Sequence, residues 1–346
     1  MPRVYRYEEV EQVITHLDPL QDTISWIRRL RSQGFSEQLL VEKHKFSDAK
    51  QIRAAANSIR IYVDNATSLI DQAYSSDIKT SYLPMYYAMA CLAKICIVAT
   101  GHLERLADEK RHGLFWSGNK HSSRDLLNDH IELRDRGVFP LYYKALTGSL
   151  WRPTRRAGKH PLWQRIPMRD IYPYVPAVTY EYESTYRSKS MLHLMRADIA
   201  EDNTISIRIV GANEELVANK NLYPVLKGSV YQGSGTFIIR GATPEESKSK
   251  LRRYLMYDFT PDNGPKLGYS LTPRCSSKFP LPAEVATYLA FFHLSNVVRY
   301  DPERLVRYFD SPAVALLEAL ARHGVFTYLL AFWSFITKTS TFIDHY

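Results

Sequence analysis

Apolar positions set the frame of this chain. The densest run lies between Met85 and Ala99, where Lys94 is the only charge. Pro84 reads as a first helical position, because a missing N–H is harmless there, and Gly101 reads as the stop. A helix that is apolar all round belongs at the centre of a core. The run is shorter than the roughly 20 residues a membrane span needs and carries a lysine near its middle, so it predicts a buried helix and no membrane association. A short amphipathic turn, Leu103 to Lys110, follows. Upstream, Val10, Val13, Ile14 and Leu17 recur at helical spacing, then Ile24, Ile27 and Leu30, which predicts two short helices broken at Asp18-Pro19 and ended by Gly34. Ile52, Ala55, Ala56, Ile59, Tyr62, Val63, Ala66, Leu69 and Ile70 form the stripe of a long helix or broken pair within Ser36 to Tyr74. Ser122 or Ser123 is expected to cap a further helix reaching Arg134, with Leu126, Leu127 and Ile131 inward. Gly137 to Pro140 would close it, before a short apolar piece from Leu141 to Leu146.

The pattern changes near Ser149. Trp151 to Arg169 is rich in proline and basic residues and has no acid. Beyond Met191 the pattern alternates, most cleanly from Thr204 to Val210. Further strand candidates are Tyr223 to Tyr231, Gly235 to Arg240, Arg253 to Phe259 and Tyr269 to Thr272, with a hairpin turn at Gly233-Ser234-Gly235. A helix starting near Glu245 competes with one of these. In Thr179 to Tyr186, glutamates alternating with tyrosines suggest an exposed strand face. Helices return from Ala283 to Val298 and, after Ser311-Pro312, from Val314 to Ile336, with a break or bend at Gly324. The class is α+β: a mainly helical block from the N- and C-terminal segments with a strand-rich middle. The expected divisions are a helical block (1–150), a basic and aromatic connector (151–187), a strand-rich part (188–280) and C-terminal helices packing back on the block (281–346).

Composition adds little to this. The 346 residues are 45% hydrophobic and 23% charged, ordinary values for a globular protein, with 24 tyrosines and a net charge of +9. A basic balance suits nucleic acid, anionic membrane or acidic protein equally well, and also suits a plain solvated surface. Three cysteines without a CxxC pair argue against a structural zinc site. No metal or other cofactor is expected. The first residues lack an apolar leader core, and free thiols suit a reducing compartment, so a cytoplasmic location is expected. No phosphate-binding glycine loop, dinucleotide fingerprint, zinc-protease motif or hydrolase elbow occurs.

Five segments together resemble the bacterial YaaC-like family: IYVDNATSLI (61–70), SYLPMYYAMACLAKICIVATG (81–101), RHGL (111–114), RGVFPLYYKAL (136–146) and AEVATYLAFFHLSNVVRYDPERL (283–305). The resemblance implies a cytoplasmic helical protein with a strand-rich insertion. It carries no catalytic residues with it.

Two stretches hold candidate chemistry. In Arg124 to His130 an arginine precedes a histidine at the spacing used by HEPN-type ribonucleases, where a guanidinium holds the scissile phosphate and an imidazole moves the 2′-hydroxyl proton. Arg105 with His112, Arg155 with His160 and Arg187 with His193 also fit, so the spacing discriminates poorly, and a solvated helix face is the simpler explanation of Arg124 and His130. The second stretch combines Arg152, Arg155, Arg156, Lys159, Arg165 and Arg169 with Trp151 and Trp163. Arginine neutralises phosphate while indole faces stack bases. A basic loop plugged into the core by its tryptophans is the structural alternative. Arg111-His112-Gly113 and Arg322-His323-Gly324 read as helix ends, with cations near the dipole's negative pole. The expectation is a nucleic-acid-associated protein binding RNA or single strands, with Arg124 and His130 as a metal-independent ribonuclease pair. The alternative is a non-enzymatic helical module that pairs with a partner protein or a second copy.

Overall fold

A computed structural model describes residues 9–14, 18–116, 118, 125–153, 163–188, 190, 192, 194–199, 204–209, 212, 214–218, 220, 226, 228–239, 269–270 and 281–343. The first element among the described residues is strand β1 (Glu9–Ile14), not the helix that Val10, Val13 and Ile14 suggested. These β-branched residues sit well in an extended chain once a partner strand is present. Helix α1 (Pro19–Arg28) is capped by the Asp18 carboxylate, which accepts from Gln21 N–H at 3.1 Å. Gly34 does not end a helix: it lies in the first turn of α2 (Gln33–Glu42), after a 3₁₀ turn at Arg29–Arg31. Helix α3 (Ala49–Tyr74) is the long amphipathic helix expected.

The central helix, α4 (Ile78–Ala99), starts six residues before Pro84. Asp77 closes its first turn, accepting from Lys79 N–H at 2.8 Å, and burial of the apolar length tolerates the backbone bond that Pro84 removes. Its end is as read: Gly101 at φ +80° and His102 send N–H groups back to the carbonyls of Val98 and Ile97, a Schellman closure. Helix α5 (Leu103–Asp108), strand β2 (Leu114–Phe115) and strand β3 (His130–Arg134) follow. The helix expected from Ser122 to Arg134 is therefore a 3₁₀ turn (Leu126–Asn128) and a strand. Gly137 to Pro140 does not close an element but opens α6 (Val138–Thr147).

Strand β4 (Trp163–Pro167) lies inside the expected connector and completes a sheet ordered β2-β3-β4, antiparallel throughout. Thr179–Tyr186 is a helix, α7, and not a strand; Tyr182 packs inward while Tyr180 stays exposed. Strands β5 (Leu194–Ile199) and β6 (Ile205–Ile209), helix α8 (Glu214–Ala218) and strands β7 (Val230–Gly233), β8 (Thr236–Ile239) and β9 (Tyr269–Ser270) form the strand-rich middle. Its five-stranded sheet has the order β7-β8-β6-β5-β9. The candidates near Glu245 and Arg253 lie outside the described residues. The buried side chains of this sheet, such as Ile205, Ile207 and Phe237, are not part of the helical block's core.

Helices α9 (Ala283–Tyr300), α10 (Pro302–Phe309), α11 (Val314–Ala319) and α12 (Val325–Thr337) return to the block, and β10 (Thr339–Ile343) pairs in parallel with β1. A π-helical turn, Leu320–Gly324, joins α11 to α12. Gly324 has ordinary helical φ; its role is close approach, since a Cβ there would stand 2.9 Å from both Phe291 and Leu320 side chains. Arg322-His323-Gly324 is thus mid-helix and caps nothing.

Helix α4 is enclosed by α3 on one side and by α9 and α12 on others. Its tyrosines and theirs use their polar ends across the core: Tyr82 Oη donates to the Leu317 carbonyl at 2.8 Å and Tyr328 Oη to the Met89 carbonyl at 3.3 Å. Lys94 reaches the rim, with Nζ 5.3 Å from the centre of the Tyr62 ring. Among the described residues two stretches are long and apolar enough to cross a membrane, Ile78–Ala99 and Val314–Thr337, and 78% and 61% of their apolar windows are buried inside the fold.

The Arg111 to Gly113 turn lies beyond the end of α5. The Arg111 and His112 carbonyls accept the free N–H groups of Val138 and Phe139 at 3.0 and 2.9 Å, capping α6 with backbone. This works because Gly137, at φ +122°, lies against Gly113; a Cβ on it would fall 2.3 Å from the Gly113 nitrogen. Gly137→Ala is expected to destabilise the fold by about 3 kcal/mol or more, measured by urea unfolding. His44 is half-buried, donates Nε2–H to the Ile336 carbonyl at 2.7 Å, and has its pKa lowered to about 4, by burial first and then by Lys338. A folded state that holds this imidazole neutral is fully favoured above the unfolded value near ~6.5 and loses stability as pH falls toward 4. His44→Gln should flatten the thermal-stability profile across that window.

Candidate nucleic-acid interface

The sequence of β3, His-Ile-Glu-Leu-Arg, alternates, and the pleat sends alternate side chains to opposite faces. Leu114, Ile131, Leu133 and Ile166 turn inward onto the helical core. Register sets the other face: Phe115 lies beside Glu132, Glu132 beside Arg165, Arg134 beside Trp163, and His130 beside Pro167. The outer face therefore carries two solvent-facing aromatics, Phe115 and Trp163, each 44% exposed, with an arginine next to each. The Arg134 guanidinium lies 4.9 Å from the Phe115 ring centre and that of Arg165 lies 5.8 Å from Trp163. Arg165 also pairs with Glu132 at 3.4 Å, which fixes it across the strands.

The sheet face runs into a cleft of about 550 Å³. Phe115 belongs to both. Tyr86 and Tyr87 of α4, His112, Trp116 and the end of α9 with Asn296, Arg299 and Tyr300 form the walls. Tyr86 Oη and His112 Nδ1 are 3.0 Å apart, and Arg299 Nη1 donates to Tyr87 Oη at 3.3 Å. Burial, then Lys94 and Arg299, lower the His112 pKa.

Behind the cleft lies a buried charge. Asp129 is 2% exposed. Its Oδ2 accepts from Trp116 Nε1 at 3.2 Å, His293 Nε2 at 2.9 Å, Arg304 Nη1 at 3.1 Å and Tyr308 Oη at 3.0 Å. Its Oδ1 accepts the His130 N–H at 2.9 Å. Burial by itself pushes this carboxyl upward. The hydrogen bond and charge of His293, the His130 N–H and the Arg304 guanidinium outweigh it and hold the pKa well below the usual carboxylate range. Arg304 also bonds Asp301 at 2.9 Å, and Asp301 caps α10. The hub thereby fixes Trp116, β3, α9 and α10 together, which sets the shape of the cleft. Among the described residues no group of three or more His, Cys, Asp and Glu side chains is placed to hold a metal ion.

The sequence candidates divide. Trp151 is 1% exposed, edge-on to Phe139 at 5.8 Å, so it is a core residue and not a stacking platform; a large apolar ring at the end of α6 is more stable inside than out. Trp163 and Arg165 lie together on the sheet face, and Arg152 and Arg169 are exposed. Arg124, Arg155, Arg156 and Lys159 lie outside the described residues. His130 stands on the outer sheet face, half-buried, on a strand where a helix was expected. Phe115, Arg134 and Arg299, with the hub behind them, do not stand out in the sequence as a site, and His112 does so only through the weak spacing from Arg105. The alternation of 130–134 and the lone His293 on an apolar helix were the available signals.

This geometry defines an α+β protein whose helical block presents a small cationic and aromatic sheet. The family model described as YaaC-like Protein matches residues 28–325, and the chain belongs to the YaaC-like family. The match spans the sheet, the cleft and the hub. Neither the curated proteins nor the solved structures compared with the chain give a match.

Removing the hub carboxylate leaves Arg304 buried without its main partner. Asp129→Ala should cost about 3–5 kcal/mol in urea unfolding. In the native protein this contribution is full above the unfolded carboxyl value near ~4 and is lost as pH falls below it toward the depressed folded value.

Proposed function

We propose that the chain binds single-stranded nucleic acid, RNA in particular, across the outer face of the three-stranded sheet. The observation that carries this reading is the pairing of exposed rings with guanidinium groups on one face: Phe115 with Arg134 and Trp163 with Arg165. Bases stack on rings whatever their identity, and arginines neutralise the intervening phosphates. The net charge of +9 favours the encounter at low salt. Arg169, two residues beyond β4, is exposed and extends the basic character there, and Arg152 is exposed as well.

Fluorescence anisotropy with a labelled single strand tests the reading. Affinity should fall steeply as salt rises from 50 to 200 mM, roughly tenfold or more for a few phosphate contacts. Trp163→Ala should weaken binding by about 1–3 kcal/mol, the usual worth of one base–ring stack. An affinity indifferent to both salt and Trp163 would refute it. Incubation with RNA in the same buffer also reads strand cleavage; cleavage abolished in His130→Ala would extend the reading to a ribonuclease.

A further inference from the structure

We infer that the cleft beside the sheet is a subsite for a single nucleotide, with a phosphate held by Arg299 and His112 and a base flanked by Tyr87, Phe115 and Tyr300. This deepens the single-strand reading and rests on it for the choice of ligand class, but the cleft is a separate cavity and can fail separately. Its volume of about 550 Å³ is in the middle of the range for small-ligand pockets. Arg299 sits in the last turn of α9 and is exposed. Among the described residues it bonds only the Tyr87 hydroxyl and has no carboxylate partner, so most of its donors face open space. His112 completes the pair. In the tautomer that accepts the Tyr86 hydroxyl at Nδ1, the proton sits on Nε2, which is then a second donor. The one acid in the lining, Asp301, already pairs with Arg304 at 2.9 Å and Arg307 at 3.8 Å, so it does not cancel this field.

The apolar side of the cleft favours a planar group. Tyr300 is 62% exposed, with the Arg299 guanidinium 5.1 Å from its ring centre, so a base could stack against it without displacing any core contact. Asn296 donates Nδ2–H to the Phe292 carbonyl at 2.7 Å, which leaves its amide oxygen to accept from a base edge. A phosphate-binding pair and stacking rings in one cavity match a nucleoside monophosphate better than a phosphate or a nucleoside alone. The same unit reaches the cleft from two sources, as a free mononucleotide or as the phosphorylated end of a strand lying on the sheet.

Calorimetric titration separates these. Adenosine 5′-monophosphate, adenosine, inorganic phosphate and a short single strand with and without a 5′-phosphate are titrated into the full chain. A single saturable site for the monophosphate, with adenosine and phosphate each far weaker, is the expected result for the free nucleotide. A preference confined to the phosphorylated strand supports the strand end as the source. In either case Arg299→Gln should weaken binding about tenfold, the loss of one charge-assisted pair. Tyr300→Ala, at an exposed position, provides a second variant with a comparable loss. If no phosphate-bearing probe binds in a way that depends on Arg299 or Tyr300, the subsite is refuted. A circular single strand has no ends and reports on the sheet alone, so its binding distinguishes failure of the cleft from failure of the sheet.

Discussion

A carboxylate removed from water needs compensating donors, and Asp129 draws them from segments far apart in the chain. Trp116 and the His130 backbone come from its own neighbourhood, while His293, Arg304 and Tyr308 come from helices 164, 175 and 179 residues later. A buried ion pair of this kind contributes little net stability against an apolar replacement, but it tolerates few alternative arrangements. Its consequence here is positional. The small sheet and the α9–α10 corner can meet in one register only, because any other would leave a charge or a donor unmatched.

That placement decides which side of the sheet is free. Leu114, Ile131, Leu133 and Ile166 cover the helical core, so Phe115, Arg134, Trp163 and Arg165 take the opposite face, where Glu132 is itself covered. This sheet, whose β2 has only two residues, is supported by packing its apolar face on the helical block. Anchored by the core and by Asp129, it holds Phe115, Arg134, Trp163 and Arg165 on a rigid surface. The Gly113–Gly137 contact has a similar effect at the cleft: it brings the His112 turn against the start of α6, where its carbonyls satisfy two helix N–H groups, and leaves the imidazole beside Tyr86. The described buried residues of the five-stranded sheet form a set apart from the helical core.

Much of the frame was legible in the chain. The apolar run of α4 determined a buried helix, because a rod with no polar face has nowhere else to go, and Gly101 determined where it stops. The stripes of α3 and α9 determined that further helices would cover it, and clean alternation determined β6. Local spacing failed where two periods compete over a few residues. Val10 to Ile14 and Leu126 to Arg134 each fit a helix as well as a strand, and only a partner strand, β10 in one case and β4 in the other, settles the choice. The site was legible only in fragments. Trp163 and Arg165 were visible as a basic–aromatic pair, but Trp151, of the same composition, is core, because burial depends on what the chain folds against. Phe115, His112, Arg299 and Asp129 are ordinary residues in the sequence. Tertiary structure alone made them neighbours, since hydrogen bonds and ring contacts act over a few ångströms and the chain separates these groups by up to nearly two hundred residues.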